Sequence, residues 1–499
     1  MPERPRRIAA IDLGSNSFHM TLAELGPLGI KTYHREKRKV RLAAGLNDAN
    51  QLDEAAQNRA LETLGVFGQI LDEFKPDDVR AVGTFTFRTA VNIHNLTQKA
   101  LQVLPYPIEI LSGTEEARLI YQGVSHDQHL PDNTLVVDIG GGSTELIIGQ
   151  TTEAKLLHSC NMGCVSFNEK FFPNGDITAQ AFRKASLYSA QQLESVRMRY
   201  LAKGWEMAIG SSGTIKSLSQ CASELGLSDG TLTPAILQEL KERLINAGHV
   251  DNINIPGLSE DRTPVISSGL AILIAVFDLL EVTSMSYCDS ALREGLLFEL
   301  QDRLQHHDIR HLSVSQLAKR FGCDPHQAQK VAKTAQTMFD SVASSWQLNN
   351  LDYHKFLNWA CQLHEIGHQI NHLSCHKHAA YIVRNSAMAG FNAEQQSILS
   401  FLLLSQRKSL KMDQAPVFDV YDATTTLKII LLLRLAIRLN QFRQSDTLDS
   451  FEVSSDRNKL TIVFHTIWKD RQDLFSSDLE AEQEQFQPLG IELDYVFLS

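Results

Sequence analysis

The chain has little of what marks several large protein classes. Its seven cysteines, at 160, 164, 221, 288, 323, 361 and 375, are scattered through 499 residues with no Cys-x-x-Cys. An odd set without pattern excludes a disulfide framework and fits a reducing compartment, so a cytoplasmic location is expected. Positive charge is also short: 47 Lys and Arg stand against 58 Asp and Glu, a formal net charge of −11. That balance excludes a general nucleic-acid-coating role, and a polyanion would have to be held in a local pocket of arginine, lysine, backbone N–H groups and metal. No apolar run reaches the length of a membrane span. The two most apolar stretches run from Gly269 to Phe277 and from Leu427 to Leu433, the second ending at Arg434. After Arg6 and Arg7 the apolar stretch is interrupted at Asp12, far short of the core of an export signal. Neither nucleic acid nor a membrane is expected as a partner.

What remains is ordinary for a globular protein, with 43% hydrophobic and 21% charged residues. The length exceeds what one hydrophobic core serves, so about three or four domains are expected.

One phosphate-loop pattern is present twice. Arg7-Ile-Ala-Ala-Ile-Asp-Leu-Gly-Ser-Asn-Ser-Phe18 and Leu135-Val-Val-Asp-Ile-Gly-Gly-Gly-Ser-Thr-Glu-Leu146 each read as an apolar strand ending in Asp-[Leu/Ile]-Gly. A turn of small residues and a second apolar segment follow. Small residues let backbone N–H groups approach phosphate oxygens, and Asp12 and Asp138 sit where a hydrated Mg²⁺ could be held. The same residue types dominate ordinary β-turns, so either loop alone is a weak signal. The repetition is stronger. The two aspartates lie a domain's length apart, so the pair reads as duplicated α/β halves whose loops face each other across a cleft for a phosphorylated ligand.

Residues 7–40 alternate as three strands, and 53–74 has helical spacing with Asp53 near its start. A strand at 79–84 and another at 108–111 follow, and Ser112-Gly-Thr-Glu115 supplies a capping box for a helix to about Gly123. The second half repeats the strand-loop-strand start at 134–149, with helices near 178–200 and a strand at 205–209. The turn Gly210-Ser-Ser-Gly-Thr214 then opens another helix, which makes Gly213 part of a third anion site. A strand at 285–288 and a helix toward Leu304 close this half, and 305–310 reads as a linker. From Leu312 to about Ser409 the period is helical. The rest adds a helix at 425–440 and alternating segments at 451–454 and 460–464. The expected domains are 1–125, 126–304, a helical 305–415, and a small mixed 416–499.

A phosphate held by N–H groups still needs a base to orient or deprotonate attacking water. With Ser112 and Glu115 satisfying each other, Glu116 lies on another helix face and is the best candidate; the alternative is that both glutamates simply favour the positive helix end. Arg88, after a strand, is either a bidentate phosphate clamp or a surface arginine. Asp138 and Glu145 flank the second loop, and a tight turn would return both carboxylates to one metal-centred site.

Taken together, Ala10 to Met20, Ser112 to Arg118, Val137 to Leu146 and Ala291-Leu-Arg-Glu-Gly295 resemble the exopolyphosphatase and guanosine pentaphosphate phosphohydrolase family along the whole chain. The resemblance implies an α/β fold of two actin-like (ribonuclease H-like) domains, followed by an all-α HD-like domain and a small mixed C-terminal domain. It implies Glu116 as general base, and Asp138 and Glu145, with Asp12, for Mg²⁺ and water. Asn16, Ser17, Arg88, Gly141, Gly142, Ser143 and Gly213 are the expected phosphate contacts. Lys37 to Gly45 and Ala360 to Gly367 look more like the pentaphosphate branch. The expected reaction is removal of the terminal 5′-phosphate of guanosine pentaphosphate by a homodimer. The alternative is release of phosphate from the ends of polyphosphate, for which Arg407, Lys408, Lys411, Arg434, Arg438 and Arg443 are candidates for a basic track.

His364-Glu-Ile-Gly-His368 is a literal His-Glu-x-x-His, the spacing of two zinc ligands on one helix face. Gly367 weakens the helix there and no pattern fixes a third ligand, so a zinc protease is not expected. The family resemblance instead makes this a degenerate HD-like site with Glu365 in place of a metal-binding Asp. Two other classes remain open: an actin-like kinase, for which no adenosine pocket or acceptor base is identifiable, and a non-catalytic alarmone-binding regulator.

Overall fold

The computed structural model describes residues 5–26, 29–128, 130–305, 308–348, 351–443, 451–465 and 472–498. The chain divides into two compact units, Met1–His307 and Asp308–Ser499.

The first unit holds strands β1 (Arg6–Leu13), β2 (Ser17–Gly26), β3 (Gly29–Lys39), β4 (Val79–Gly83) and β5 (Ile108–Ile110), then β6 (Thr134–Ile139), β7 (Thr144–Gln150), β8 (Glu153–Cys160), β9 (Met207–Ser211) and β10 (Ser286–Tyr287). They form two five-stranded sheets of one order, β3-β2-β1-β4-β5 and β8-β7-β6-β9-β10. In each sheet the first three strands are an antiparallel meander and the last two run parallel to the central strand or its neighbour. The duplication seen in the loops therefore extends strand for strand through both mixed α/β halves.

Side chains alternate along a strand, and β1 uses both faces. Ala9, Ile11 and Leu13 enter a core belonging to the first half, while Ile8 and Ala10 face a second core. That second core also takes Val136 of β6 and Ile147 of β7, so the two halves share it. Two helices fill it, Gly113–Asp127 and Leu292–Leu304. They cross where Gly123 meets Ala291 and Gly295 meets Leu119. A Cβ on Gly123 would lie 2.0 Å from the Ala291 carbonyl oxygen, and one on Gly295 would lie 1.9 Å from that of Leu119. Only glycine permits that backbone approach. Arg118 pairs with Glu299 across the same crossing. Thr263–Leu280 is apolar and long enough to pass for a membrane span by composition. Its helical part, Ile266–Leu280, is instead the core helix of the second half, with Leu270, Ala271, Ile272 and Leu273 fully buried.

The second unit packs the helices Ile309–Arg320, Pro325–Val342, Leu351–Leu363, Cys375–Asn385, Ala393–Ser405 and Ala423–Leu439 with a three-stranded sheet. Its strands are β11 (Phe451–Asp456), β12 (Lys459–Phe464) and β13 (Glu492–Phe497), with β13 parallel to β12 after the helix Gln472–Phe486. The sequence divided this region at 415/416, whereas one cluster from Val314 to Leu493 joins helices and sheet in a single core. The expected linker also ends early: Asp308 caps the helix at Ile309 through the Arg310 N–H. Residues 306 and 307 lie outside those described.

Candidate functional site

The central strands β1 and β6 end at equivalent places, and each sends its chain into a loop at the same edge of the unit. Across the antiparallel pairs Asp12 stands opposite His19, and Asp138 stands opposite Glu145. The loops meet through glycine. A Cβ on Gly141 would lie 3.0 Å from Ser15 Cβ, one on Gly142 would enter the Phe85 ring at 2.1 Å, and Gly163 is pressed against the Gly141 carbonyl carbon. The loop carbonyls are taken up by the chain: Asn16 O accepts from Val40 and Arg41, Ser15 O from Ala43, Gly140 O from Cys164 and Gly141 O from Val165. The N–H groups of Gly141 and Gly142 have no protein acceptor among the described residues. Ser17 Oγ and Ser212 Oγ are buried without a partner, and Ser212 has φ of 81°, a strained value for serine. Unspent donors around a gap of this kind match an anion that brings its own oxygens.

The gap is a cleft of about 500 Å³. Asp12, Asn16, Ser17, Glu116, Asp138, Gly141, Gly142, Ser143 and Gly213, all expected from the sequence, line it. Ser112 Oγ accepts from the Glu115 N–H at 3.2 Å and opens the Gly113–Asp127 helix as its cap. The Glu115 carboxylate pairs with Arg118 at 2.7 Å, leaving Glu116 directed at the cleft. Two expected residues do not line it. Arg88, on the short helix Phe85–Thr89, donates through Nη1 to Glu116 Oε2 at 2.7 Å and to the Leu111 carbonyl at 3.0 Å, so it stands against Glu116. Glu145 is 1% exposed and accepts from Ser159 Oγ at 2.7 Å. Gly213 has a role the turn pattern did not indicate, since a Cβ there would strike the Arg262 guanidinium at 1.7 Å.

Four carboxyl groups thus crowd together, with Glu116, Asp138 and Glu145 buried and Asp12 half-buried. Burial pushes Asp12 up to about 7, reinforced by the charges of Glu116 and Asp138 and opposed by Arg293. Burial raises Asp138 to about 6, while Ser211 Oγ, donating at 2.5 Å, favours its ionised form. Burial also raises Glu116, with the Arg88 ion pair holding it down, and raises Glu145 well above the usual range with help from Glu116 and Asp138. Such mutual repulsion is relieved by a cation. Among the described residues no three His, Cys, Asp or Glu side chains form a ready-made metal cage. Mg²⁺ does not require one, because it keeps several waters and takes one or two carboxylates plus substrate phosphates. The donor set, all oxygen and anionic, fits that ion.

The sequence missed most of the cations. Arg35, Lys37, Lys216, Arg262 and Arg293 all line the cleft. Arg35 pairs with Asp289 and Glu294, and Lys216 with Asp289. Arg262 and Arg293 have no carboxylate within ion-pair distance among the described residues. Lys37 and Arg293 stood inside the motifs that carried the resemblance, which was the available signal.

In the second unit the His-Glu-x-x-His pattern dissolves. The helix stops at Leu363 and a separate short helical turn covers Ile366–Gln369, so His364 and His368 do not share a helix face. Gly367 sits where a Cβ would meet the Cys375 carbonyl oxygen at 1.9 Å. His364 Nδ1 is spent on the Cys361 carbonyl at 2.7 Å, and Glu365 pairs with Arg443 at 2.5 Å. The expected basic track is thinned as well. Arg434 is 1% exposed and locked to Glu482, Arg438 pairs with Asp478, and Arg443 pairs with Asp324 and Glu365.

Known proteins resemble this chain in sequence and in fold. The Ppx/GppA phosphatase family model matches residues 21–304, and the model of Ppx/GppA phosphatase domain III matches 309–483. Over 482 residues the chain is 38% identical to the guanosine-5′-triphosphate,3′-diphosphate pyrophosphatase of Aeromonas hydrophila subsp. hydrophila, covering 97% of each chain. An exopolyphosphatase structure from Cytophaga hutchinsonii is 26% identical, with a TM-score of 0.55 over 60% of this chain and 98% of that one. The PPX-GPPA enzyme of Aquifex aeolicus, 24% identical, shares the fold with a TM-score of 0.50 over 59% of this chain and 99% of that one.

Proposed function

Because the chain belongs to the Ppx/GppA phosphatase family, we infer that its cleft hydrolyses the terminal 5′-phosphoanhydride of guanosine pentaphosphate, giving the tetraphosphate and orthophosphate. The class, a phosphoanhydride hydrolase, is that of the family. The substrate is the one named for the Aeromonas relative. The observation that carries the reading is Glu116: a buried carboxylate held by Arg88, facing a cleft floored by unspent N–H groups.

Water attacks the terminal phosphorus, its proton passes to a Glu116 carboxylate oxygen, and the bond from phosphorus to the bridging oxygen breaks, leaving the electron pair on the departing nucleotide. Burial raises the Glu116 pKa, while the Arg88 ion pair opposes that rise, favouring the ionised form a general base needs and aiming the carboxylate. The N–H groups of Gly141 and Gly142, with Ser143, Asn16 and Ser17, cradle the phosphoryl oxygens, and charge neutralisation supplies most of the catalysis. Asp138 and Asp12 would hold Mg²⁺, with Glu145 behind them, and a cation held there would supply neutralisation of phosphate charge and orientation of the nucleophile.

The enzyme is read as a cytoplasmic homodimer. Residues 1–125 and 126–304 are read as actin-like domains, and the unit that follows as an HD-like helical body with the small mixed C-terminal part built onto the same core.

A second reading, exopolyphosphatase, draws on the likeness to the Cytophaga structure. The loss of Arg434, Arg438 and Arg443 to acidic partners weighs against a basic track in this chain. Phosphate release from guanosine pentaphosphate, long polyphosphate and ATP, measured side by side, decides. Preference for polyphosphate would replace the first reading, and no release from any of the three would remove both.

A further inference from the structure

Arg88 Nη1 is occupied by Glu116 and the Leu111 carbonyl, which turns attention to the other cations of the cleft for the charge that meets the phosphate chain. Arg293 is the second residue of the Leu292–Leu304 helix, half-buried, cleft-lining and without a carboxylate partner. Its position is fixed from three sides. The Ala291 N–H donates to Glu294 Oε2 at 3.0 Å, Glu294 is tied to Arg35, and Gly295 lets the helix cross the one carrying Glu116 at backbone contact. The base and this arginine are therefore built on one rigid crossing.

The side chain itself is directed by His19. Arg293 Nη1 lies 3.5 Å from His19 Nδ1. An arginine N–H can only donate, so Nδ1 accepts and the ring proton belongs on Nε2. His19 stands opposite Asp12, the place that Glu145 takes opposite Asp138 in the other half. The duplicated fold thus offers one position twice, with a carboxylate in one copy and an imidazole in the other. A carboxylate at 19 would pair with Arg293 and cancel it. A neutral imidazole orients the guanidinium and leaves its charge for the ligand.

We propose that Arg293 binds non-bridging oxygens of the substrate's phosphate chain in the cleft, and that His19 is the positioning residue that aims it. The inference rests on the hydrolase reading above.

The test combines turnover with equilibrium binding of inorganic tripolyphosphate. Arg293→Ala should lose about 10²–10³-fold in turnover, as for removal of a preorganised charge-stabilising donor, with the circular dichroism spectrum unchanged. Added guanidinium ion should restore part of it, which a structural role would not allow. His19→Leu should reproduce most of that loss and add little to it in the double variant, because both remove one aimed guanidinium. His19→Asn, which keeps an acceptor near Nδ1, should recover much of what His19→Leu loses even if the leucine variant folds poorly. Turnover and tripolyphosphate binding both unaffected in Arg293→Ala would overturn the proposal while leaving the pentaphosphate reading in place. Fully additive losses, or no recovery in His19→Asn, would overturn the role of His19. Should the wild type release no phosphate while tripolyphosphate binding still depends on Arg293, the pentaphosphate reading fails and the clamp stands.

Discussion

Arg88 Nη1 stands 2.7 Å from Glu116 Oε2 and donates at the same time to the Leu111 carbonyl. The guanidinium is pinned between a strand end and the proposed base, so Glu116 meets the cleft from one direction. Glu116→Gln should keep nucleotide binding and lose about 10²–10⁴-fold in turnover, the usual span of a general base. Near-normal hydrolysis by that variant would remove Glu116 from the mechanism.

The same pair predicts a pH effect. Arg88 favours the ionised carboxylate, so Arg88→Met should raise the Glu116 pKa further and move the acidic limb of the kcat/KM profile to higher pH. A profile that keeps its shape and only falls in height would show that Arg88 touches substrate instead.

Asp12 and Asp138 carry a stability signature. Their folded pKa values, about 7 and about 6, lie above that of an unfolded aspartate, so the native state binds these protons more tightly. The stabilisation is complete below the unfolded value and is lost as pH rises through 6 to 7. Asp12→Asn should therefore gain on the wild type in Tm between pH 5 and pH 8 when no divalent ion is present. Parallel Tm curves for the two proteins would mean that Asp12 is ionised throughout.

Metal removal gives a separate check. EDTA should abolish phosphate release, Mg²⁺ should restore it, and Zn²⁺ should not. At pH 8, Mg²⁺ should also raise the Tm of the wild type more than that of Asp138→Asn, because bound ion stabilises the fold by linkage. Activity dependent on Zn²⁺ would turn attention back to His364 and His368.

Arg434 and Glu482 are each 1% exposed and joined by two hydrogen bonds, with Arg434 Nη1 also on the Ser405 carbonyl at 2.6 Å. Removing one member of a buried pair typically costs about 3–5 kcal/mol. Arg434→Ala should lower the stability of the second unit by that order in denaturant unfolding while leaving polyphosphate affinity unchanged below the transition. Unchanged stability with weaker polyphosphate binding would return Arg434 to a ligand track.

Much of this was legible in the chain. The repeated Asp-[Leu/Ile]-Gly loops were visible because a phosphate cradle is a local backbone device, and the cap at Ser112 likewise depends on three neighbouring residues. Pairings over distance were not. Nothing near Arg88 points to Glu116, and nothing near Gly213 announces the Arg262 guanidinium above it. Arg434 was misread although its setting held a clue: a lone cation inside the apolar run from Ile429 to Leu435 is on a buried helix and needs a buried partner. Strand β13 was overlooked because it joins its neighbour in parallel after a helix, so no hairpin turn marks it.

The shared core of the second unit bears on synthesis. Ile491 and Leu493 belong to the same cluster as Val314 and Trp359, and β12 gains its parallel neighbour only when β13 exists. While the chain is being made, the cleft-lining residues have all emerged by Arg293, so the first unit can mature on the ribosome, domains folding as units in order. The second must wait with an open apolar interior until residue 493 is free. Through that interval its leucine-rich helix Ala423–Leu439 is the segment most in need of a chaperone, and slow translation late in the message would lengthen its exposure.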